Sequence, residues 1–469
     1  MQFKSLFIDE FTPIAFFSKL KERFKNERIF LLESAAVNEF GNFSYIFIGE
    51  RERVSFRDGL TSYTNEDGKT SVTRAEPLAF LEEYYEGIDF DAHKQTLKSL
   101  GLGFVDGFVG YVGYDVIKEF EPTLKPFMDA LIDETDIPDF DMIRPKIVIG
   151  YSHKTCKLTL VSTLLPMINL EEIEKIILSA YLPTPLLKPT GSFSKTVMLT
   201  DDAFKQCVVT AKEHIRSGDV FQILAANRVT VEANVDGYSF YRVLRAKNPS
   251  PYMYFLEYED FSIAGSSPEV MIKLEEGEIL IRPIAGTRKR GYDIQRDLEL
   301  EAEMLSDPKE RAEHIMLVDL ARNDIGRVSK SGSVKVGDLM RVERYSHVMH
   351  MVSDVTSNLE DDKNMFDLFR ATFTAGTMTG APKIKAMEII ARLEGVKRGF
   401  YSGSIGYFGF DGNMDFAITI RTALIKKDKI VFQAGAGVVA DSSPQLELIE
   451  IKNKLAANIS SFEDLIKVE

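Results

Sequence analysis

The order of apolar and polar positions along the chain changes character several times. Residues 29–32, 45–48 and 157–161 are short runs rich in β-branched and aromatic side chains, which predicts strands. Residues 76–85 space their apolar side chains at the helical period, which predicts a helix. Residues 107–115, Gly-Phe-Val-Gly-Tyr-Val-Gly-Tyr-Asp, mix aromatics with repeated glycines, the pattern of a buried strand that another backbone approaches closely. Residues 201–217 read as a helix capped at Thr200 and Asp201 and stopped before Gly218. Residues 403–410, 414–424 and 429–434 then read as consecutive antiparallel strands. Helix and strand signals mix without regular βαβ alternation, so the expected class is α+β.

Three prolines and a glycine interrupt residues 182–195, which breaks both helix and sheet. The expected organisation is an N-terminal domain of residues 1–181, a linker of residues 182–195 and a larger domain of residues 196–469. No repeat period stands out, and Gly435-Ala436-Gly437 is only a fragment of a dinucleotide-binding fingerprint.

Composition narrows the function classes. Apolar residues at 45% and charged residues at 27% describe an ordinary soluble globular chain. Lys plus Arg total 57 against 71 Asp plus Glu, a formal charge of -14, so a phosphate backbone is repelled and nucleic acid is not the expected partner. A small anion needs only a local basic pocket. The two cysteines, Cys156 and Cys207, cannot build a disulfide framework and have no metal-ligand spacing, which suits a reducing compartment. The start of the chain lacks the basic and apolar regions of a signal peptide, and no run reaches membrane-spanning length. A cytoplasmic location without membrane attachment is expected.

Several constellations could carry chemistry. Asp307 as N-cap and Pro308 at the first position open a helix that runs toward Asn323, with Glu310 and Glu313 on one face. Glu310 could instead close a capping box with Asp307. Ser443 and Pro444 open a second helix of the same design, carrying Glu447, Glu450 and Lys454 beside the apolar Leu446, Ile449 and Leu455. Two Glu-x-x-Glu helices could hold Mg²⁺, a hard ion that takes oxygen ligands, or could be two solvated faces. Along residues 346–351, His350 shares a side with Ser346 and Val348, and His347 shares one with Met349; a histidine on such a strand is commonly a core residue. Residues 372–383 are dense in glycine and hydroxyls, fitting an anion-binding loop or an ordinary turn. Arg421, among Phe416, Ile418 and Ile420, needs an anionic partner from the protein or from a substrate.

Taken together, these segments resemble the chorismate-utilising enzymes, most closely the large subunits of anthranilate synthases. The resemblance is carried by Gly218-Asp219-Val220-Phe221-Gln222, Ser267-Pro268-Glu269, Arg282-Pro283-Ile284-Ala285-Gly286-Thr287-Arg288 and Asp319-Leu320-Ala321-Arg322-Asn323-Asp324. Residues 374–383 and Gln433-Ala434-Gly435-Ala436-Gly437 complete it. It implies large antiparallel sheets packed as a sandwich with helices outside. It also implies a Mg²⁺-dependent amidating lyase that converts chorismate and ammonia to anthranilate and pyruvate in tryptophan biosynthesis.

The same resemblance supplies roles. Glu313 and Glu450 match the family's Mg²⁺ ligands, supported by Glu310 and Glu447, and the ion would hold the ring carboxylate of chorismate. Arg421, Tyr401 and the amides of Gly435, Ala436 and Gly437 match the grip on the enolpyruvyl side, and Lys454 matches a site lysine. Glu269 matches the general acid that protonates the departing C4 hydroxyl. Thr287, His350 and Thr377 match pocket positions, His350 being linked to pyruvate elimination. Glu33 and Ser34, with Pro249, Pro251, Tyr252 and Met253, match the two halves of a regulatory L-tryptophan pocket to which the N-terminal domain contributes.

Two positions discriminate within the family. Where isochorismate-forming relatives carry a water-activating lysine the chain has Gln222, which cannot act as a general base. Where aminodeoxychorismate synthases carry a nucleophilic lysine it has Ala285. Both favour direct amination at C2. The rivals are an aminodeoxychorismate synthase component and a non-catalytic, tryptophan-binding relative. Neither Cys156 with His153 nor Cys207 with His214 is spaced for a glutaminase, so a separate small subunit is expected to supply ammonia in a hetero-oligomer.

Overall fold

A computed structural model describes residues 1–34, 42–163, 169–180, 182–345 and 348–468. Ser346 and His347 lie outside the described residues. The frame is a long antiparallel pair, Phe43–Arg57 with Phe140–Ser152, in register from Phe43↔Ser152 to Phe56↔Phe140 with one irregularity near Glu50 and Glu52. Its strands are apolar on both faces because each face meets a different core. Tyr45 and Phe47 enter one core, while Ile46 and Ile48 enter the other.

Two arms of sheet leave this pair. One runs through Ile29–Glu33, Tyr252–Glu257, Phe261–Ser267, Thr422–Lys426 and Lys429–Val438 to Gln222–Glu232. The other runs through Gly107–Val112, Ser404–Gly409, Met414–Ile418, Val270–Glu275 and Glu278–Ile281 to Val355–Asn358. Among the described residues, the arms belong to one 21-stranded sheet that curls until they enclose an aromatic core including Phe108, Phe369, Phe408 and Phe416. The opposite face of the first arm carries the second core, covered by the helices Pro13–Arg23, Asp201–Arg216, Gly237–Lys247 and Pro444–Ile466. The α+β sandwich with outer helices expected from the sequence is therefore present as one sheet folded over itself. Truncating a fully buried core aromatic such as Phe416 would cost about 3–5 kcal/mol.

Local expectations met particular outcomes. At Gly110 a Cβ would come within 2.1 Å of the Asp141 carbonyl oxygen, which is the close backbone approach that the glycine-aromatic pattern predicted. The helix Pro77–Tyr85 is capped by the Glu76 carboxylate, and Asp201–Arg216 by Thr200. The single strand expected over residues 414–424 is instead two, Met414–Ile418 and Thr422–Lys426, with Arg421 at φ +51° between them. The two strands keep one antiparallel register, Ala417 opposite Val270 and Thr422 opposite Gly265, yet they join different arms. Strands from before and after residues 182–195 share the sheet, Glu33 pairing with Met253 and Gly110 with Gly406.

A separate three-stranded sheet, Ile284–Lys289 and Arg341–Arg344 flanking Val348–Val352, packs under the helices Ile294–Ser306 and Pro308–Gly326. No helix among the described residues is long and apolar enough to cross a membrane.

Candidate active site

The site forms where the small sheet, the strand Lys429–Val438 and the loop after Met365–Thr372 converge. Glu269 sits in the break between Phe261–Ser267 and Val270–Glu275, its carbonyl accepting the Ile418 amide at 3.0 Å. The side chain is buried, and the Thr377 hydroxyl donates to its Oε1 at 3.1 Å. Burial pushes this carboxyl up to about 8, against the opposing pull of Thr377, Arg421 and Lys454. Glu269 thus keeps its proton at neutral pH, the state a general acid requires.

His350 pairs across the small sheet with Thr287. Its Nδ1 lies 3.2 Å from the Gly286 carbonyl and 3.0 Å from Thr287 Oγ1. A carbonyl can only accept, so Nδ1 carries the proton and Nε2 is the basic nitrogen of the neutral ring. Burial and then Arg421 press the imidazole down to about 4, so it is uncharged at neutral pH. Arg421 is accessible to water yet has protein on most sides, the position of a group lining a cleft. Burial weakens its hold on its proton, and Glu269 and Tyr345 oppose this.

Beyond Phe432 the strand Lys429–Val438 loses its neighbour, because pairing with Thr422–Lys426 stops at Ala423↔Phe432. Lys454 Nζ donates to the Gly435 carbonyl on this open edge at 2.9 Å. Strand alternation sends the backbone groups of Gly435 and Gly437 to the same edge, while Ala436 spends its own in the ladder with Ala225. A Cβ at Gly435 would stand 2.9 Å from Tyr401 Oη, and one at Gly437 would stand 2.7 Å from Gln222 Nε2. A side chain at either position would therefore crowd a neighbour on that face of the strand.

The acidic helices begin as expected, at Asp307 with Pro308 and at Ser443 with Pro444. Asp307 accepts from the Lys309 and Glu310 amides. Glu310 does not complete a capping box, because its carboxylate is taken by Arg288 at 2.9 Å. Glu313 is raised by burial, then by Glu310, with Glu450 adding to it, and Glu447 by burial, with Glu450 adding to it. The two acidic rows therefore face one another. Glu450 is paired with Lys454 at 2.8 Å. Among the described residues, no three His, Cys, Asp or Glu side chains are gathered tightly enough to enclose an ion. Four mutually repelling carboxylates, two of them held by cations that a metal could replace, still fit a hard cation that keeps several waters.

A second cavity, of about 180 Å³, lies between the sheet arms and shares no lining residue with this site. Glu33, Ser34, Pro251, Tyr252 and Met253 line it together with Lys273 and Asp415. Tyr252 donates to Asp415 at 2.9 Å, and Glu33 accepts from Tyr241 and from Nε and Nη2 of Arg245. Pro249 does not line the cavity; it is exposed on the turn that follows the helix Gly237–Lys247.

Among the described residues, neither cysteine is hydrogen-bonded to a histidine. Cys207 Sγ points to the Leu393 carbonyl, while His214 pairs with Asp219 and His153 with Ser44. Sequence reasoning overlooked Arg288 and Lys309, which flank the acidic rows; only their place beside Thr287 and Asp307 hinted at it.

The chorismate binding enzyme family model matches residues 27–460. Anthranilate synthase component 1 of Aquifex aeolicus is 41% identical over 98% of this chain and 94% of its own length. The same component of Acinetobacter calcoaceticus is 39% identical over 97% and 93%. The crystal structure of anthranilate synthase component I from Streptococcus pneumoniae superposes with a TM-score of 0.76 at 34% identity, covering 90% of this chain and 93% of that one. With a site of this geometry and relatives of this similarity along nearly its whole length, the chain belongs to the chorismate binding enzyme family.

Proposed function

We propose that this chain is the chorismate-converting subunit of an anthranilate synthase, a lyase that takes chorismate and ammonia to anthranilate, pyruvate and water. The observation that carries this most directly is Glu269, a carboxyl that stays protonated at neutral pH while facing Arg421 and Lys454. Chorismate is a dianion, and an acidic protein must supply a local positive field to hold it. Arg421 and the open amides of Gly435 and Gly437 receive the enolpyruvyl carboxylate, and Tyr401 backs them. Mg²⁺ held by Glu313 and Glu450, supported by Glu310 and Glu447, would supply the positive charge for the ring carboxylate.

Ammonia attacks C2 as the ring double bonds shift and the C4 hydroxyl leaves as water with the Glu269 proton. His350, neutral with its basic nitrogen at Nε2, then assists the loss of pyruvate, in which C2 gives up its proton and the ring becomes aromatic. Gln222 and Ala285 offer neither a base for water nor a nucleophile for the ring, which favours this route over isochorismate or aminodeoxychorismate formation. The relatives' name, component 1, supports a second component, and the placement of both cysteines away from histidine supports assigning glutamine hydrolysis to it. The second cavity is assigned to L-tryptophan as a feedback inhibitor.

The test is to assay the purified chain with chorismate and Mg²⁺, following anthranilate fluorescence. Ammonium salt should suffice, whereas glutamine should work only after a glutaminase subunit is added. Glutamine-dependent product from the isolated chain would overturn the division of labour.

A further inference from the structure

Arg398 is a full charge buried away from the reacting groups, with a relative exposure of 1%. Each of its five N–H groups has an acceptor. Nε and Nη2 form a fork on Glu394 at 2.8 and 2.6 Å, and Nη2 also donates to the Leu224 carbonyl at 2.9 Å. Nη1 donates to the Met378 carbonyl at 2.8 Å and to Ser402 Oγ at 3.3 Å. Glu394 in turn accepts the Ala226 amide at 3.1 Å.

These acceptors lie on three segments that each carry a site residue. Met378 follows Thr377, Ser402 follows Tyr401, and Leu224 belongs to the strand whose first residue, Gln222, abuts Gly437. The segments are also joined directly, since the Leu224 amide donates to the Thr379 carbonyl at 2.8 Å and the Thr374 hydroxyl donates to the Ser402 carbonyl. The guanidinium lies over the rings of Tyr114 and Tyr401 at 4.8 and 5.8 Å. A buried ion pair contributes little net stability compared with apolar residues of the same volume, so stability does not account for it. Its donors instead fix one relative placement of three separate segments. A lysine has no planar fork and only three donors, so it could not make the same set.

We propose that Arg398, held by Glu394, is a positioning residue that sets Thr377 against Glu269 and Tyr401 beneath Gly435. This rests on the reaction assigned above. Losing the tether to Met378 lets Thr377 drift from Glu269, and a misplacement of about 1 Å at a reacting centre costs about 10²-fold in rate.

The experiment uses the full chain with ammonium salt, comparing parent, Arg398→Lys, and the double variant Arg398→Met with Glu394→Leu. The double variant removes both charges at similar volume, a replacement that core ion pairs tolerate. Thermal unfolding checks the fold, and kcat, chorismate KM and the pH profile are measured for each. Both folded variants should lose about 10²-fold in kcat, with a smaller change in KM. The alkaline limb of the profile should move to higher pH, because the Glu269 carboxylate has lost a donor. A folded variant with parental kcat and an unmoved limb would overturn the positioning role. A parent chain that leaves chorismate untouched would count instead against the reaction itself.

Discussion

Thr377 donates its hydroxyl to Glu269 Oε1 across 3.1 Å, joining a loop to a strand break more than a hundred positions earlier in the chain. The bond favours the ionised carboxylate, while burial opposes ionisation more strongly and leaves the group at about 8. The acid is present below that value and lost as pH rises through it.

For the parent chain, kcat/KM for chorismate, expressed per free ammonia, should therefore fall through an alkaline limb near pH 8. Thr377→Val removes the donor, so the limb should move upward while the maximal rate drops. A limb that stays in place would separate Glu269 from the proton transfer.

Glu313→Gln should lose at least the roughly 10–100-fold that even outer partners of metal ligands are worth, with the fold intact by circular dichroism. Glu450→Gln should behave alike, and excess chelator should abolish parental turnover. Full activity in chelator would remove the metal from the scheme.

His350→Ala should still consume chorismate and accumulate aminodeoxyisochorismate, visible by chromatography. The parental imidazole lies at about 4, so no acid limb from this group should appear between pH 5 and 7. Anthranilate formed at the parental rate by the variant would return His350 to a core role.

L-Tryptophan should inhibit, and Pro251→Ala or Ser34→Ala should weaken inhibition while sparing uninhibited turnover, since both residues line the second cavity away from Glu269. Inhibition requires that tryptophan bind the less active conformation more tightly. No effect at millimolar tryptophan would leave the cavity without this ligand.

Features governed by neighbouring residues were legible in the sequence. The cap at Asp307, the helix start at Ser443 with Pro444 (where the serine side chain itself makes no capping bond), the helix after Thr200 and the glycine strand around Gly110 all stand where local chemistry places them. Relationships set by distant contacts were not. Arg421 follows an apolar run and reads as a strand residue, yet it occupies a left-handed break between two strands that serve different sheet arms. Glu310 has the spacing of a capping box, but Arg288 from the small sheet competes for it successfully. The proline-rich stretch holds no helix from residue 182 to 194, but Thr190 bridges to Asn234 and Lys195 already opens a strand. Composition cannot show that Glu33 and Met253, on either side of it, are strand partners. Arg398 carries no local signal, since its value lies in three carbonyl and hydroxyl partners brought together only by the fold.

The most direct measurement is product analysis of chorismate incubated with the purified chain, Mg²⁺ and ammonium salt. Chromatography should recover anthranilate and pyruvate in equal amounts, matching the chorismate consumed. Recovery of aminodeoxychorismate or isochorismate as the end product, or chorismate returned unchanged, would contradict direct amination at C2 and the assignment built on it.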